Sequence, residues 1–535
     1  MQRLQAQVLH ILGTEIASSA DQEDTTRSIL LSLSLTCHSL REACLPLIFA
    51  EVSWPHPNKN DEESGLYFFP RSLWQYFKHF HLIWPDEWPD ANPPLWGCKY
   101  YVGGDYHPRH LEAVTAALPN MAHLNALHLS CPFYPPNNLL DALTKCVSLR
   151  RLHINDTPIY LSTMPKVPTN FRLESISLVP VAEAVRVGDG PYEPKFAETA
   201  YYNREYRRRY KNDILARTAV KDLLFSLGHP NSLRYVQVSC DHCNLDTLAE
   251  HEWPVLETLV LTGHAPRSLG NAELVDVIAR MPILKELRLL FAKIRNDPFR
   301  LLPPGGGAST RKNHPQIFSQ LKCLALSNAC EVIGVLEYAS NLECLAAYAV
   351  ADLPQVPIAL SRTDVDKMLA SIAIGGCYRH LKRFRLIVEE KVHPELCQTI
   401  ASLCSNLESL EIEICGYHDG KPVYPWCDYA DAFSKLRSLA EVRVCIQFPE
   451  YDDTDRFEPW RSARKQCAEF LGLNVPSLQR VGFEYRKRTG THRFEDRWLD
   501  FELVRTQERG LVVVEMPPSW YPFPEVWHHV PIPSA

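Results

Sequence analysis

The stretch ELCQTIASLCSNLESLEI, residues 395–412, holds the pattern that decides the fold. Its first half, ELCQTIASLC (395–404), has the apolar spacing of an amphipathic helix. A turn at Asn406 follows, since Asn tolerates the left-handed backbone geometry that ends a helix. The second half, LESLEI from Leu407, alternates apolar and polar residues as a strand does. The local order is helix, short turn, strand.

The strand phrase recurs along the whole chain, as LNALHL from Leu124, LRRLHI from Leu149, LESISL from Leu173, LRYVQV from Leu233, LETLVL from Leu256 and LKELRL from Leu284. It continues as LKCLAL from Leu321, LKRFRL from Leu381, LAEVRV from Leu439 and LQRVGF from Leu478, with a weaker copy, LECLAA, from Leu342 and an early one, FKHFHL, from Phe77. Helical spacing precedes many copies: HLEAVTAAL (110–118), NLLDALTKC (138–146), AVKDLLFSL (219–227), ELVDVIARM (273–281) and VDKMLASIA (365–373). Parallel neighbours need a crossover, and each helix supplies one. Spacing between most neighbouring copies falls in the ~20–29-residue period of leucine-rich repeats.

The expected fold class is therefore α/β: an irregular leucine-rich-repeat solenoid with parallel strands, helices on its convex side and a small all-α module in front. We divide the chain into a helical module (1–54), a linker with a first atypical repeat (55–109), the repeat array (110–490) and a C-terminal cap and tail (491–535). Longer gaps predict insertions near 180–215 and 300–315. PPGGGASTRKNHP (303–315), NKNDEES (58–64) and EYDDTDRFE (450–458) read as loops. WLDFELVRT (498–506) and GLVVVEM (510–516) read as two further strands that cover the last repeat.

A chain of 535 residues, 46% hydrophobic and 22% charged, can bury a large core, and its net charge of −7 provides no basic field for nucleic acid. No run of ~18 apolar residues predicts a membrane span, and the first residues do not form a signal-peptide core. Seventeen cysteines, odd in number and dispersed, predict reduced thiols in a cytoplasmic or nuclear protein.

Chemical motifs are weak throughout. YYNREYRRRYK (201–211) reads as a solvated helix face. CDHC (240–243) and His528 with His529 lack a second ligand pair at zinc spacing, and GGGASTRK (305–312) lacks Walker spacing. No G-x-S-x-G or H-E-x-x-H occurs. We expect no enzyme activity, no metal and no cofactor.

In the repeated phrase the leucines point inward, and alternation turns their flanks toward solvent. These flanks are bland in the middle copies, at Thr258, Val260, Thr262, Cys323, Ala325 and Ser327. Toward the C terminus they become charged: Arg383, Arg385, Glu411, Glu413, Glu441, Arg443, Arg480 and Glu484. This surface is the candidate for binding a protein target by charge complementarity. Adjacent strands can equally pair these opposite charges with one another.

The run LTCHSLREACLPLIF (35–49) resembles the second half of the fungal F-box, with matches at Leu35, Cys37, Ser39, Arg41, Ala43, Pro46 and Phe49. Leu40 stands where that family usually has Trp and His38 where it often has Arg; LQAQVLHIL (4–12) replaces the usual opening phrase. With the repeats behind it, the chain is similar over nearly its full length to the F-box and leucine-rich-repeat proteins of mushroom-forming fungi. The resemblance implies a substrate receptor of a cullin-RING ubiquitin ligase. Leu4, Val8, Leu12, Leu35, Cys37, Leu40, Pro46 and Phe49 would contact a Skp-type adaptor on a cullin scaffold, and the repeats would hold an unidentified protein substrate. The alternative is a repeat-protein interaction scaffold with no ubiquitin role, in which the helices merely cover the first repeat.

Overall fold

The computed structural model describes residues 23–55, 68–83, 108–130, 138–155, 159, 167–168, 170–180, 217–266, 272–292, 299–301, 318–331, 333–348, 359–389, 392–414, 424–446, 448, 457–488, 494–506, 510–516 and 519–520. These fall into two compact units, up to Cys243 and from Asn244 onward. The boundary lies inside the 110–490 array read from the sequence. The loops expected at 58–64 and 303–315, and the basic run 201–211, lie outside the described residues.

In the first unit β1 (Glu51–Pro55), β2 (His79–Ile83), β3 (Ala126–Ser130), β4 (Arg151–Asn155), β5 (Ser175–Val179) and β6 (Tyr235–Ser239) pair in parallel and in chain order. In the second, β7 (Thr258–His264), β8 (Glu286–Ala292), β9 (Cys323–Ser327), β10 (Cys344–Tyr348), β11 (Arg383–Val388), β12 (Ser409–Ile414), β13 (Glu441–Val444) and β14 (Arg480–Arg488) do the same. Then β15 (Phe494–Thr506) turns antiparallel to β14, and β16 (Gly510–Glu515) and β17 (Ser519–Trp520) pair with β15. Both units are α/β with mostly parallel sheets, and each copy of the phrase occupies a strand. The two strands expected after the last repeat are present as β15 and β16.

Register explains the recurrence. The middle leucine of each copy faces its counterpart on the next strand, so Leu259, Leu287, Leu324, Leu345, Phe384, Leu410, Val442 and Val481 form one buried row. A second device repeats with the same period. One carbonyl just before most of the parallel strands accepts two successive N–H groups of the following copy: Glu257 from Lys285 and Glu286, Lys285 from Lys322 and Cys323, Lys382 from Glu408 and Ser409. A carbonyl has two lone pairs, so this staple satisfies both donors at each such strand entry.

The same staple identifies a copy hidden in the sequence. The carbonyl of Ala50 accepts from Lys78 and His79. Phe49, Val52 and Trp54 in FAEVSW therefore occupy the three leucine positions, and buried Val52 faces buried Phe80, the middle position of the next copy. The array begins inside the segment read as the helical module.

That segment contains helices Glu23–Ser34 and His38–Ile48. They pack through Leu30, Cys44 and Ile48, with Leu33, Leu47 and Phe49 against them. Pro46 lies in the last turn of the second helix, where a missing N–H is tolerated poorly, and the helix ends two residues later at Ile48. The helix Arg362–Gly375 shows more regular ends: Ser361 accepts from the Asp364 N–H, and Gly376 closes it at φ 74°. The helix Phe457–Asn474 starts inside the stretch read as a loop at 450–458.

Candidate partner-binding faces

In the second unit the charged flanks lie on one face of β11 to β14. Arg385, Glu411, Arg443 and Gly482 are successive register partners, as are Arg383, Ser409, Glu441 and Arg480. Arg385 reaches Glu411 at 3.1 Å and Glu413 at 2.9 Å, and Arg443 lies 3.6 Å from Glu411. Arg480 stands 3.6 Å from Glu441. The opposite charges therefore pair with one another along the sheet, and a partner must exchange against these contacts. Arg383 and Glu441 are exposed and offer the outer edge of this face. The Glu484 side chain lies outside the described residues.

The strongest member of the chain of pairs is absent from the sequence reading. Asp500, on β15, accepts from Arg443 Nε at 3.1 Å and from its terminal nitrogen at 2.7 Å, a bidentate pair. Gly482 makes room for it, because a Cβ there would lie 2.3 Å from Asp500 Oδ1 and 2.7 Å from Arg443 Cγ. Arg385 also sits over the Tyr348 ring at 4.8 Å, and Arg443 faces Trp498 at 5.8 Å. The antiparallel turn of β15 brings Asp500 and Trp498 onto this face, so repeat spacing carried no signal for either.

In the first unit the residues proposed for adaptor docking separate into two groups. Leu35 and Cys37, at the turn between the helices, are exposed, Leu35 to 85%. Leu40, Pro46 and Phe49 are half-buried. The Phe49 ring lies 6.3 Å from Phe69 and 6.4 Å from Phe77, within the start of the repeat array. Leu4, Val8 and Leu12 lie outside the described residues.

The flanks of the first unit carry imidazoles. His81, His128 and His153 occupy the position between the last two apolar residues in FKHFHL, LNALHL and LRRLHI, and register aligns them across β2, β3 and β4. Glu51 lies 3.3 Å from His81, His81 Nδ1 is 3.5 Å from His128 Nδ1, and His153 Nε2 is 3.0 Å from Ser175 Oγ. The His153 ring stacks on Tyr235 at 5.9 Å, and Tyr235 donates to Gln237. The recurring histidine is legible in the phrase itself, but alternation along one strand gives it no partner.

This row makes the first unit sensitive to acid. Burial first, then the proximity of His128 and Arg151, pushes His153 down to about 3, and burial pushes His242 down to about 4. A base with a lower pKa in the folded than in the unfolded state binds its proton more readily when unfolded. Stability is therefore complete above about pH 6.5 and falls as pH drops from there toward 4 and 3. Glu51, held low chiefly by the hydrogen bond from His81, adds a loss in the same direction below the ordinary carboxylate range. We expect exchange protection of β3 to β5 to fall between pH 7 and pH 5, by up to about 1.4 kcal/mol per pH unit for each buried imidazole. His153→Gln flattens that slope; an unaltered slope in the variant contradicts the assignment.

Among the described residues, no group of three or more His, Cys, Asp or Glu is placed to hold a metal ion, and no helix is long and apolar enough to cross a membrane. In the CDHC run, Cys240 is half-buried while His242 and Cys243 are buried. A shallow surface groove beside helices Arg362–Gly375 and Pro394–Leu403 is lined by Arg362, Asp366, Glu395, Gln398 and Lys435, charges typical of a solvated helix surface. No protein-family model matches the chain, and no curated protein matches it.

Proposed function

We propose that this chain is the substrate-recognition adaptor of an SCF-type cullin-RING ubiquitin ligase. In this reading the N-terminal helix pair docks a Skp-type adaptor, the repeated strands hold a target protein, and catalysis belongs to partner subunits. The observation that carries it is the exposure of Leu35. The helix pair has its own buried core in Leu30, Cys44 and Ile48, yet Leu35 is 85% exposed, with Ile29 and Leu31 also exposed nearby. Leu31, on the helix Glu23–Ser34, and Leu35, at the turn that follows it, leave apolar side chains exposed for a partner's groove.

The internal packing of Phe49 favours a second reading, an interaction scaffold with no ubiquitin role. Substituting Phe49 would disturb the first repeat, so Leu35 is the informative position. Wild-type chain co-expressed with a Skp-type adaptor is expected to co-purify with it. Leu35→Asp is expected to weaken that association at least tenfold, about 1.4 kcal/mol. Its thermal midpoint should barely move, because exposed substitutions usually stay within ~0.5 kcal/mol. Absence of the adaptor from the wild-type preparation would leave the scaffold reading.

A further inference from the structure

We propose that Cys323 and Cys344 form a reversible dithiol–disulfide site on the second unit, with peroxides as the oxidant. The assignment starts from register and is independent of the ligase reading. Cys323 on β9 and Cys344 on β10 are direct partners in adjacent parallel strands. Neighbouring strands lie about 4.8 Å apart, inside the roughly 4.4–6.8 Å Cα separation that a disulfide spans. Paired positions project to the same face, here the flank side, where both residues are half-buried. Solvent and a small oxidant therefore reach the pair, while the sheet holds the thiols side by side.

The neighbours make the two sulfurs unequal. The row across β8 to β11 reads Glu286, Cys323, Cys344, Arg383. A carboxylate beside Cys323 disfavours its thiolate, and a guanidinium beside Cys344 favours one. Consistently, the Cys344 thiol is held below its ordinary value, chiefly by a hydrogen bond from Cys323, then by Arg288 and Arg383 against opposing burial. The Cys323 thiol, which keeps the shared proton, is raised. By contrast, burial pushes Cys146, Cys330 and Cys397 up to about 12, so those thiols are inert.

The chemistry balances in two displacements. The Cys344 thiolate attacks one peroxide oxygen, an S–O bond forms, the O–O bond breaks, and the departing hydroxide takes a proton to become water. Cys323, deprotonated as it reacts, attacks the Cys344 sulfenic sulfur; the S–S bond forms, the S–O bond breaks, and a second water leaves. Two electrons pass from the dithiol to one hydrogen peroxide.

The test exposes the full chain to hydrogen peroxide and maps peptides without reduction. The expected product joins the Cys323 and Cys344 peptides, lighter by two hydrogen atoms, and dithiothreitol reverses it. Cys323→Ser should stop at a Cys344 sulfenic acid that dimedone captures, whereas Cys344→Ser should give about tenfold less adduct at Cys323. Three results overturn the proposal: both thiols remaining unreacted at a dose that oxidises the exposed Cys37 and Cys427, both oxidised at that dose without a cross-link, or equal labelling of Cys323 and Cys344 in the two variants. If either serine variant fails to fold, the wild-type map alone decides.

Discussion

Arg443→Leu is expected to destabilise the second unit by about 3–5 kcal/mol, the usual cost of removing one member of a buried ion pair. The Asp500 side chain is only 5% exposed and accepts both bonds of the bidentate contact, so the substitution strips a buried carboxylate of that partner. Glu411 loses the Arg443 charge at the same time. Replacing both members, as Arg443→Leu with Asp500→Leu, should recover much of the loss, because two well-packed apolar side chains need no countercharge. Urea midpoints of the four proteins in that cycle measure the coupling, expected at ~0.5–3 kcal/mol. Gly482→Ala should destabilise in the same direction, since its Cβ would overlap Asp500 Oδ1. Additive single substitutions would show that the pair is solvated and contributes little.

Trp253→Ala is expected to cost about 3–5 kcal/mol, the range for deleting a buried aromatic side chain. Trp253 is fully buried, and its indole N–H donates to the Leu248 carbonyl at 2.9 Å. Its backbone N–H also donates to Arg280, which ties the segment before β7 to the end of helix Leu274–Ala279. Trp253→Phe keeps most of the apolar volume but removes the indole donor, so a smaller loss of about 1–3 kcal/mol is expected. In a stacked array each repeat rests mainly on its neighbours. Hydrogen exchange should therefore show the largest loss of protection around Leu245–Ala249 and Leu274–Ala279, with β13 and β14 little changed. Uniform loss along the second unit would instead indicate one cooperative block.

The imidazole row shows how far local pattern reaches. The phrase places His81, His128 and His153 at one strand position, so their common face follows from alternation alone. The pairing of His81 with Glu51 does not, because FAEVSW replaces every leucine of the phrase with Phe, Val and Trp. Only the Ala50 staple and the pairing of β1 with β2 reveal that copy. This also changes the reading of Phe49: as a sequence position it looks like the end of a docking motif, and in the folded chain its ring packs on Phe69 and Phe77.

The charged flanks were equally legible as positions and not as partners. Alternation in LKRFRL, LESLEI and LAEVRV places Arg385, Glu411 and Arg443 on the face opposite the leucines, and in the folded chain their side chains are only 17–19% exposed. Which carboxylate each guanidinium meets depends on register between segments far apart in the chain. Asp500 lies on a strand of opposite direction and follows no repeat at all.

The sequence by itself determined the repeated helix–turn–strand unit, the inward row and the flank positions, because periodicity and alternation are local properties of the chain. The tertiary structure alone decided the pairings: Arg443 with Asp500, Glu51 with His81, Cys323 beside Cys344. The physical reason is that side-chain pairing requires strand register and direction, and those are set by backbone hydrogen bonds between distant segments.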